Sequence, residues 1–133
     1  MNARVKIGSV GETQVVVEAK HAIDFADDAL PPVLCTPWLA WFLEHAARAA
    51  VLPALAAHES TVGTEIEVAH LAPTPLGRTV TCRARVIRVE GREVSFTLEA
   101  DDGVEPIARG FHKLRIIDKQ RFAARVARKR SGG

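Results

Sequence analysis

Residues 36–52 read TPWLAWFLEHAARAAVL, and this stretch decides the fold. Thr36 is a favoured helix N-cap and Pro37 suits the first helical position. The sequence therefore predicts a helix that starts here and runs on until Pro53 ends or kinks it. Between Trp38 and Leu52 only Glu44, His45 and Arg48 are polar. A helix apolar nearly all round is buried on most sides. Working outward, residues 13–19 (TQVVVEA) read as a strand rich in β-branched side chains. After the helix, residues 64–72 alternate, with Ile66, Val68 and His70 on one face and Glu65, Glu67 and Leu71 on the other. Residues 79–89 alternate through Val80, Cys82, Ala84 and Val86, then switch phase at Ile87 and Val89, which predicts a bulge or strong bend. Glu90-Gly91-Arg92 is a turn, and residues 93–100 place Val94, Phe96, Leu98 and Ala100 on one face. Asp101-Asp102-Gly103 is a hairpin signal, and residues 107–117 form the last strand. One strand, a long buried helix and four strands joined by short turns predict an α+β arrangement. In it a curved antiparallel sheet of about five strands wraps one central helix.

Composition excludes several classes of function. The 133 residues suit one domain, and 47% apolar with 26% charged residues is a globular balance. No uncharged run reaches 18 residues, so no membrane-spanning helix is expected. Arg4 and Lys6 are not followed by an apolar run, which speaks against a secretory signal and for a cytoplasmic protein. Two cysteines, Cys35 and Cys82, make no disulfide framework, and with five scattered histidines they show no metal-ligand spacing. The glycine-rich phosphate loops of nucleotide enzymes are absent, and neither metal nor cofactor is expected. The net charge of +2 is uneven: residues 119–133 hold six basic groups and no acid, so the rest is net acidic. Residues 1–118 read as the single domain, and residues 119–133 as a basic tail, either a short helix or disordered. Phe122 and Val126 are the only large apolar residues among those charges, which gives little support to nucleic-acid recognition.

Three residues stand out chemically. Glu44 sits mid-helix among Trp41, Phe42, Leu43, Ala46 and Ala47. It is either a desolvated base or nucleophile, or the partner of Arg48 one turn on. His70 shares a face with Ile66 and Val68, as a core histidine or a catalytic one. Thr36 is a plain cap, or a donor at a helix terminus suited to a carbonyl oxygen gaining charge. Eight residues of helix separate Thr36 from Glu44, about 12 Å of rise, so the two cannot bond directly in a regular helix. His112 shares a face with Ala108, Leu114 and Ile116, while His21, His45 and His58 read as structural or exposed. Cys35 adjoins Thr36 without a base beside it. Open sheet edges and an incompletely covered helix predict a homodimer with active sites near the subunit boundary.

The stretches CTPWLAWFLEHAAR, VGTEIEVAHLAPTPLGRTVT and VEGREVSFTLEADDGVEPIARGFHK resemble hotdog-fold thioesterases, and more narrowly the fluoroacetyl-CoA thioesterase-like family. The resemblance implies acyl-CoA thioester hydrolysis by a homodimer without a metal. It carries a catalytic set onto Thr36, Glu44 and His70, with His70 positioning water or orienting the carboxylate. It places Gly63, Thr64 and His112 about the substrate, and no membrane or nucleic-acid partner is implied; Trp41, with Trp38 and Phe42, reads from the residues themselves as a crowded apolar pocket wall. The sequence departs from the family in the segment before Thr36, which reads DFADDALPPVLC in place of bulky aromatics, and at Leu114, where some relatives carry Arg. Selectivity for a fluorinated acyl group therefore does not follow. The alternative is a hotdog module that binds acyl-CoA or another apolar acid without turning it over. A hydratase would want an Asp–His pair that Asp27 or Asp28 supports poorly.

Overall fold

The computed structural model describes residues 5–24 and 29–132; Phe25, Asp27 and Asp28 lie outside the described residues. Five strands form one antiparallel sheet: β1 (Val10–Val16), β2 (Glu59–His70), β3 (Thr79–Glu90), β4 (Glu93–Asp101) and β5 (Pro106–Asp118). Helix α1 (Thr36–Val51) lies between β1 and β2 in sequence, and α2 (Lys119–Arg130) follows β5. The strand order is β1-β3-β4-β5-β2. The chain therefore enters at one edge, crosses through α1 to the other edge, and fills the middle with the β3-β4-β5 meander.

Two sequence expectations change. The short connections suggested that successive strands are neighbours, but β2 pairs only with β5, and β3 lies between β1 and β4. The eight residues between β2 and β3 cross the end of the sheet instead of turning back. The first two strands also lie earlier in the sequence than their alternation suggested. At β1 pairing with β3 runs from Val10↔Arg85 to Val16↔Thr79, and a single 3-10 turn at Ala19–His21 ends it. At β2 the ladder with β5 begins at Glu59↔Asp118. Polar residues at the start of an edge strand hide the period-2 signal.

The core lies between the inner face of the sheet and α1. Val80, Cys82, Ala84 and Val86 of β3 and Val94 and Phe96 of β4 are fully buried, facing Leu39, Leu43, Ala46, Ala47 and Val51 of the helix. The phase switch in β3 is a bulge: Val86 pairs with Phe96, Arg88 with Ser95, and Ile87 is passed over. The extra residue turns Ile87 outward and returns Val89 toward the core. At Gly11 the helix rests on the strand backbone itself, because a Cβ there would collide with the Ala46 carbonyl and the Ala50 amide. Burial in this core pushes the Cys82 thiol up to about 12, against a contact from Thr13. Near α1's N-terminus, buried His21 meets Trp38 and Phe42 edge-on at 4.7 and 4.9 Å, and its Nδ1 accepts the Glu18 amide. His21 is thus structural, as expected.

The β4–β5 turn is built on Asp102. Its carboxylate accepts the amides of Val104 and Glu105 at 3.0 Å each and the Thr74 hydroxyl at 3.0 Å. Burial alone would raise this carboxyl, but those bonds and the Arg78 charge hold it below the ordinary range. Beyond β5, Asp118 caps α2 by accepting the Arg121 amide, and the side chains of α2 are all solvent-exposed.

Candidate functional site

Helix α1 and strand β2 run past each other in opposite directions and form a seam. Three contacts mark it: Thr36 with His70, Glu44 with Gly63, and Arg48 with Ser60 and Thr61. At the first, the helix begins one residue earlier than its sequence suggested. Cys35 is the N-cap and makes no side-chain cap bond; Thr36 is the first helical residue and Pro37 the second. The Cys35 amide bonds to the His21 carbonyl, which holds the chain extended up to that point. The Thr36 hydroxyl is thereby free of capping, and it shares a 2.8 Å hydrogen bond with His70 Nδ1. Burial holds the His70 imidazole below its ordinary range, with a backbone bond at Ala72 pulling the other way. Its Nε2 is buried and unbonded.

Two turns on, Glu44 is half-buried. The expected alternative, an ion pair with Arg48, is absent. Arg48 Nη1 donates to Ser60 Oγ and Thr61 Oγ1 at 3.2 Å each, and among the described residues no ion pair reaches Glu44. The carboxylate instead lies against Gly63. A Cβ at Gly63 would strike Glu44 Oε1, would sit 3.2 Å from Glu44 Cδ, and would crowd His112 Cε1 at 3.1 Å. Only glycine lets the carboxylate approach the strand here.

Glu44, Gly63 and His112 line a cavity of about 230 Å³, together with Trp41, His45, Arg48, Thr61 and Leu114. Trp41 is half exposed and stands edge-on to His45 with ring centroids 4.4 Å apart. His112 is 2% exposed, and neither of its ring nitrogens has a hydrogen-bond partner. Burial holds its imidazole below the ordinary range, against the Glu44 charge and a backbone contact at Glu65.

One chain thus brings Thr36 to His70, and Glu44 to Gly63, Trp41 and His112, but the two groups do not line one cavity. Thr64 is not among the residues that line this cavity. It is the residue passed over where the β2–β5 register shifts, it is exposed, and its hydroxyl donates to the Lys113 carbonyl. Sequence reasoning missed His45, Arg48 and Thr61 as cavity walls. The spacing of Trp41, Glu44, His45 and Arg48 along one helix face carried the signal for two of them.

Among the described residues no helix is long and apolar enough to cross a membrane. The family model described as FlK, fluoroacetyl-CoA-specific thioesterase, matches residues 6–120. The fluoroacetyl-CoA thioesterase of Streptantibioticus cattleyicolor is 38% identical over 110 residues, 83% of this chain and 78% of that protein. A solved structure of the fluoroacetyl-CoA thioesterase FlK superposes with a TM-score of 0.87 at 32% identity, covering 93% of this chain and 96% of that one. A thioesterase superfamily member from Thermus thermophilus superposes with a TM-score of 0.90 at 27% identity, covering 97% and 96%. A hot-dog-like protein from Thermanaerovibrio acidaminovorans gives 0.87 at 26% identity, covering 96% and 95%. The curled sheet around its helix is the hotdog fold.

Proposed function

Since the chain belongs to the fluoroacetyl-CoA-specific thioesterase family and is a thioester hydrolase, we propose that it hydrolyses small acyl-CoA thioesters with Thr36, Glu44 and His70. The observation that carries this reading is Glu44, a half-buried carboxylate with no ion-pair partner among the described residues, held against Gly63 on a cavity wall. A carboxylate so placed is a base for water. Water loses its proton to Glu44 as its oxygen attacks the thioester carbon. The C–S bond then breaks and the CoA thiolate recovers the proton. Negative charge gathers on the carbonyl oxygen in between. With His70 Nδ1–H donating to Thr36 Oγ1, the Thr36 proton is free to point at that oxygen, at the positive end of the helix dipole. Trp41, Gly63 and Leu114 bound the acyl end, with His112 behind them. The small cavity favours a short acyl group.

The separation of Thr36–His70 from Glu44 supports a site completed by a second copy of the chain. Strand β2 is an open edge, and α1 leaves Pro37, Trp41 and His45 uncovered along one stripe. If two β2 edges pair antiparallel about a two-fold axis between Ile66 and Glu67, the partner's His70 lies opposite Gly63. If two α1 helices cross about Ala40, the partner's Thr36 comes level with Glu44. A dimer paired in these two registers would take Glu44 of each active site from one chain and the Thr36–His70 pair from the other.

The test is steady-state hydrolysis of acetyl-, fluoroacetyl-, propionyl-, butyryl-, benzoyl- and phenylacetyl-CoA, with free thiol as readout. Turnover that falls by about 10²-fold or more in Glu44→Gln supports the assignment. Saturable binding without turnover of any ester overturns it. Label from heavy-oxygen water found in Glu44 after turnover would make it the nucleophile instead.

A further inference from the structure

Arg48 is the cation on the cavity wall that the hydrolysis scheme leaves without a role. It stands one helical turn beyond Glu44 on the same face of α1, and it is half-buried. Its guanidinium is held in place but not neutralised. Nη1 donates to Ser60 Oγ and Thr61 Oγ1 at 3.2 Å each, and both acceptors are uncharged. Among the described residues Nε and Nη2 make no hydrogen bond, and no carboxylate comes within ion-pair distance. A half-buried charge carries a desolvation cost that two hydroxyls offset only in part. A clamp between α1 and β2 would need a donor there and not a charge. The edge left open, Nε with Nη2, is the fork that grips a carboxylate through two parallel bonds. Side chains four residues apart on a helix have Cβ atoms only about 6 Å apart. An anion on Arg48 therefore lies within a short acyl chain's length of a carbonyl presented to Glu44. The phosphates of CoA sit at the far end of the pantetheine arm, well beyond one helical turn, so they are not that anion.

We propose that Arg48 binds a terminal carboxylate on the acyl group, so that the preferred substrates are CoA monothioesters of short dicarboxylic acids, of malonyl or succinyl size. The bond chemistry is unchanged: water adds to the thioester carbon, the C–S bond breaks, and free CoA and a dicarboxylate leave. Arg48 also offsets the repulsion that Glu44 exerts on a second carboxylate in the same small cavity. The inference rests on the thioesterase reading and names the acyl class for it.

The experiment sets malonyl-CoA against propionyl-CoA and succinyl-CoA against butyryl-CoA, pairs of equal chain length in which a carboxylate replaces a methyl group. Free thiol is the readout, the enzyme-free rate is subtracted, and the Tm of each protein is recorded. The unmodified chain should favour the charged member of at least one pair by about tenfold or more in kcat/KM. Arg48→Gln keeps a donor for the two hydroxyls and loses the charge. Its preference should fall by about 10²-fold, mostly through KM for the charged ester. Arg48→Lys, a point charge without the fork, should fall between the two. An unmodified chain that favours the methyl member of both pairs overturns the inference, and so does a preference that survives in Arg48→Gln. Loss on all four esters in step with a falling Tm also overturns it, and leaves Arg48 as a clamp. Should the variants fail to fold, product inhibition of the unmodified chain decides. Succinate should inhibit butyryl-CoA turnover at a lower concentration than butyrate does, and equal inhibition overturns the inference. Turnover of the neutral esters without a preference for the charged ones sinks the inference alone. An unmodified chain that turns over no ester sinks the thioesterase reading with it.

Discussion

At Gly63 the absence of a side chain is what lets the Glu44 carboxylate and the His112 ring approach the strand. Alanine there must displace the Glu44 carboxylate or the His112 ring, and both belong to the cavity. Gly63→Ala should fold, because the glycine sits in a strand, yet lose about 10²-fold in kcat/KM as the carboxylate moves off line. Acyl-CoA kinetics beside a thermal melt would check this. Thr36→Val tests the other group, since valine keeps the shape and loses the hydroxyl. The expected loss is about 10²-fold in kcat with KM little changed, the scale of one oxyanion donor. The histidines also set a pH dependence of stability. His70 and His112 both titrate below the ordinary 6.5 because burial disfavours their charged forms. The unfolded chain therefore binds protons first as pH falls. Stability is full above about pH 6.5 and declines as pH drops through and below it. Melts between pH 8 and 5 should show this slope, and His112→Leu should flatten it.

At the level of elements, the reading of residues 36–52 fared well because a long apolar helix with few polar interruptions has one stable solution, enclosure by a sheet. The bulge at Ile87 was legible for a similar reason: a two-residue period that breaks inside a buried strand must be absorbed by one extra residue. The start of α1 was less so. Threonine followed by proline has the form of a cap, but the Cys35–His21 backbone bond fixes the extended residue one place earlier. That bond joins residues far apart along the helix approach and leaves no local trace. Asp102 shows how one side chain can hold a turn. Asp102→Ala removes the acceptor for two amides and a hydroxyl in a buried place. It should cost about 1–3 kcal/mol in denaturant unfolding while leaving catalysis at the far seam unchanged.

For the whole molecule, what the sequence hides is distance. Thr36, Glu44 and His70 each stood out because the residue type is unusual where it stands, but their grouping as one proposed catalytic set came from the family resemblance. That Thr36 and His70 meet while Glu44 faces Gly63 depends on β2 lying beside β5 and not beside β3, which connection length alone did not reveal. The proposed sharing of each site between two chains makes a direct prediction. Glu44→Gln and His70→Ala should each be inactive alone, but mixed and allowed to exchange they should regain about a quarter of the parent activity. Half of the randomly assembled dimers are then mixed, and each mixed dimer holds one intact site. No recovery from proteins that demonstrably exchange would return all three residues to a single chain. A last consequence concerns the Cys82 thiol. Buried under β1 and pushed up to about 12, it has almost no thiolate near neutral pH and is silent to colorimetric thiol reagents. The chain's only other cysteine is Cys35, so the protein adds at most one reactive equivalent per chain to the signal of released CoA. Burst amplitudes can therefore be read against a small, fixed baseline.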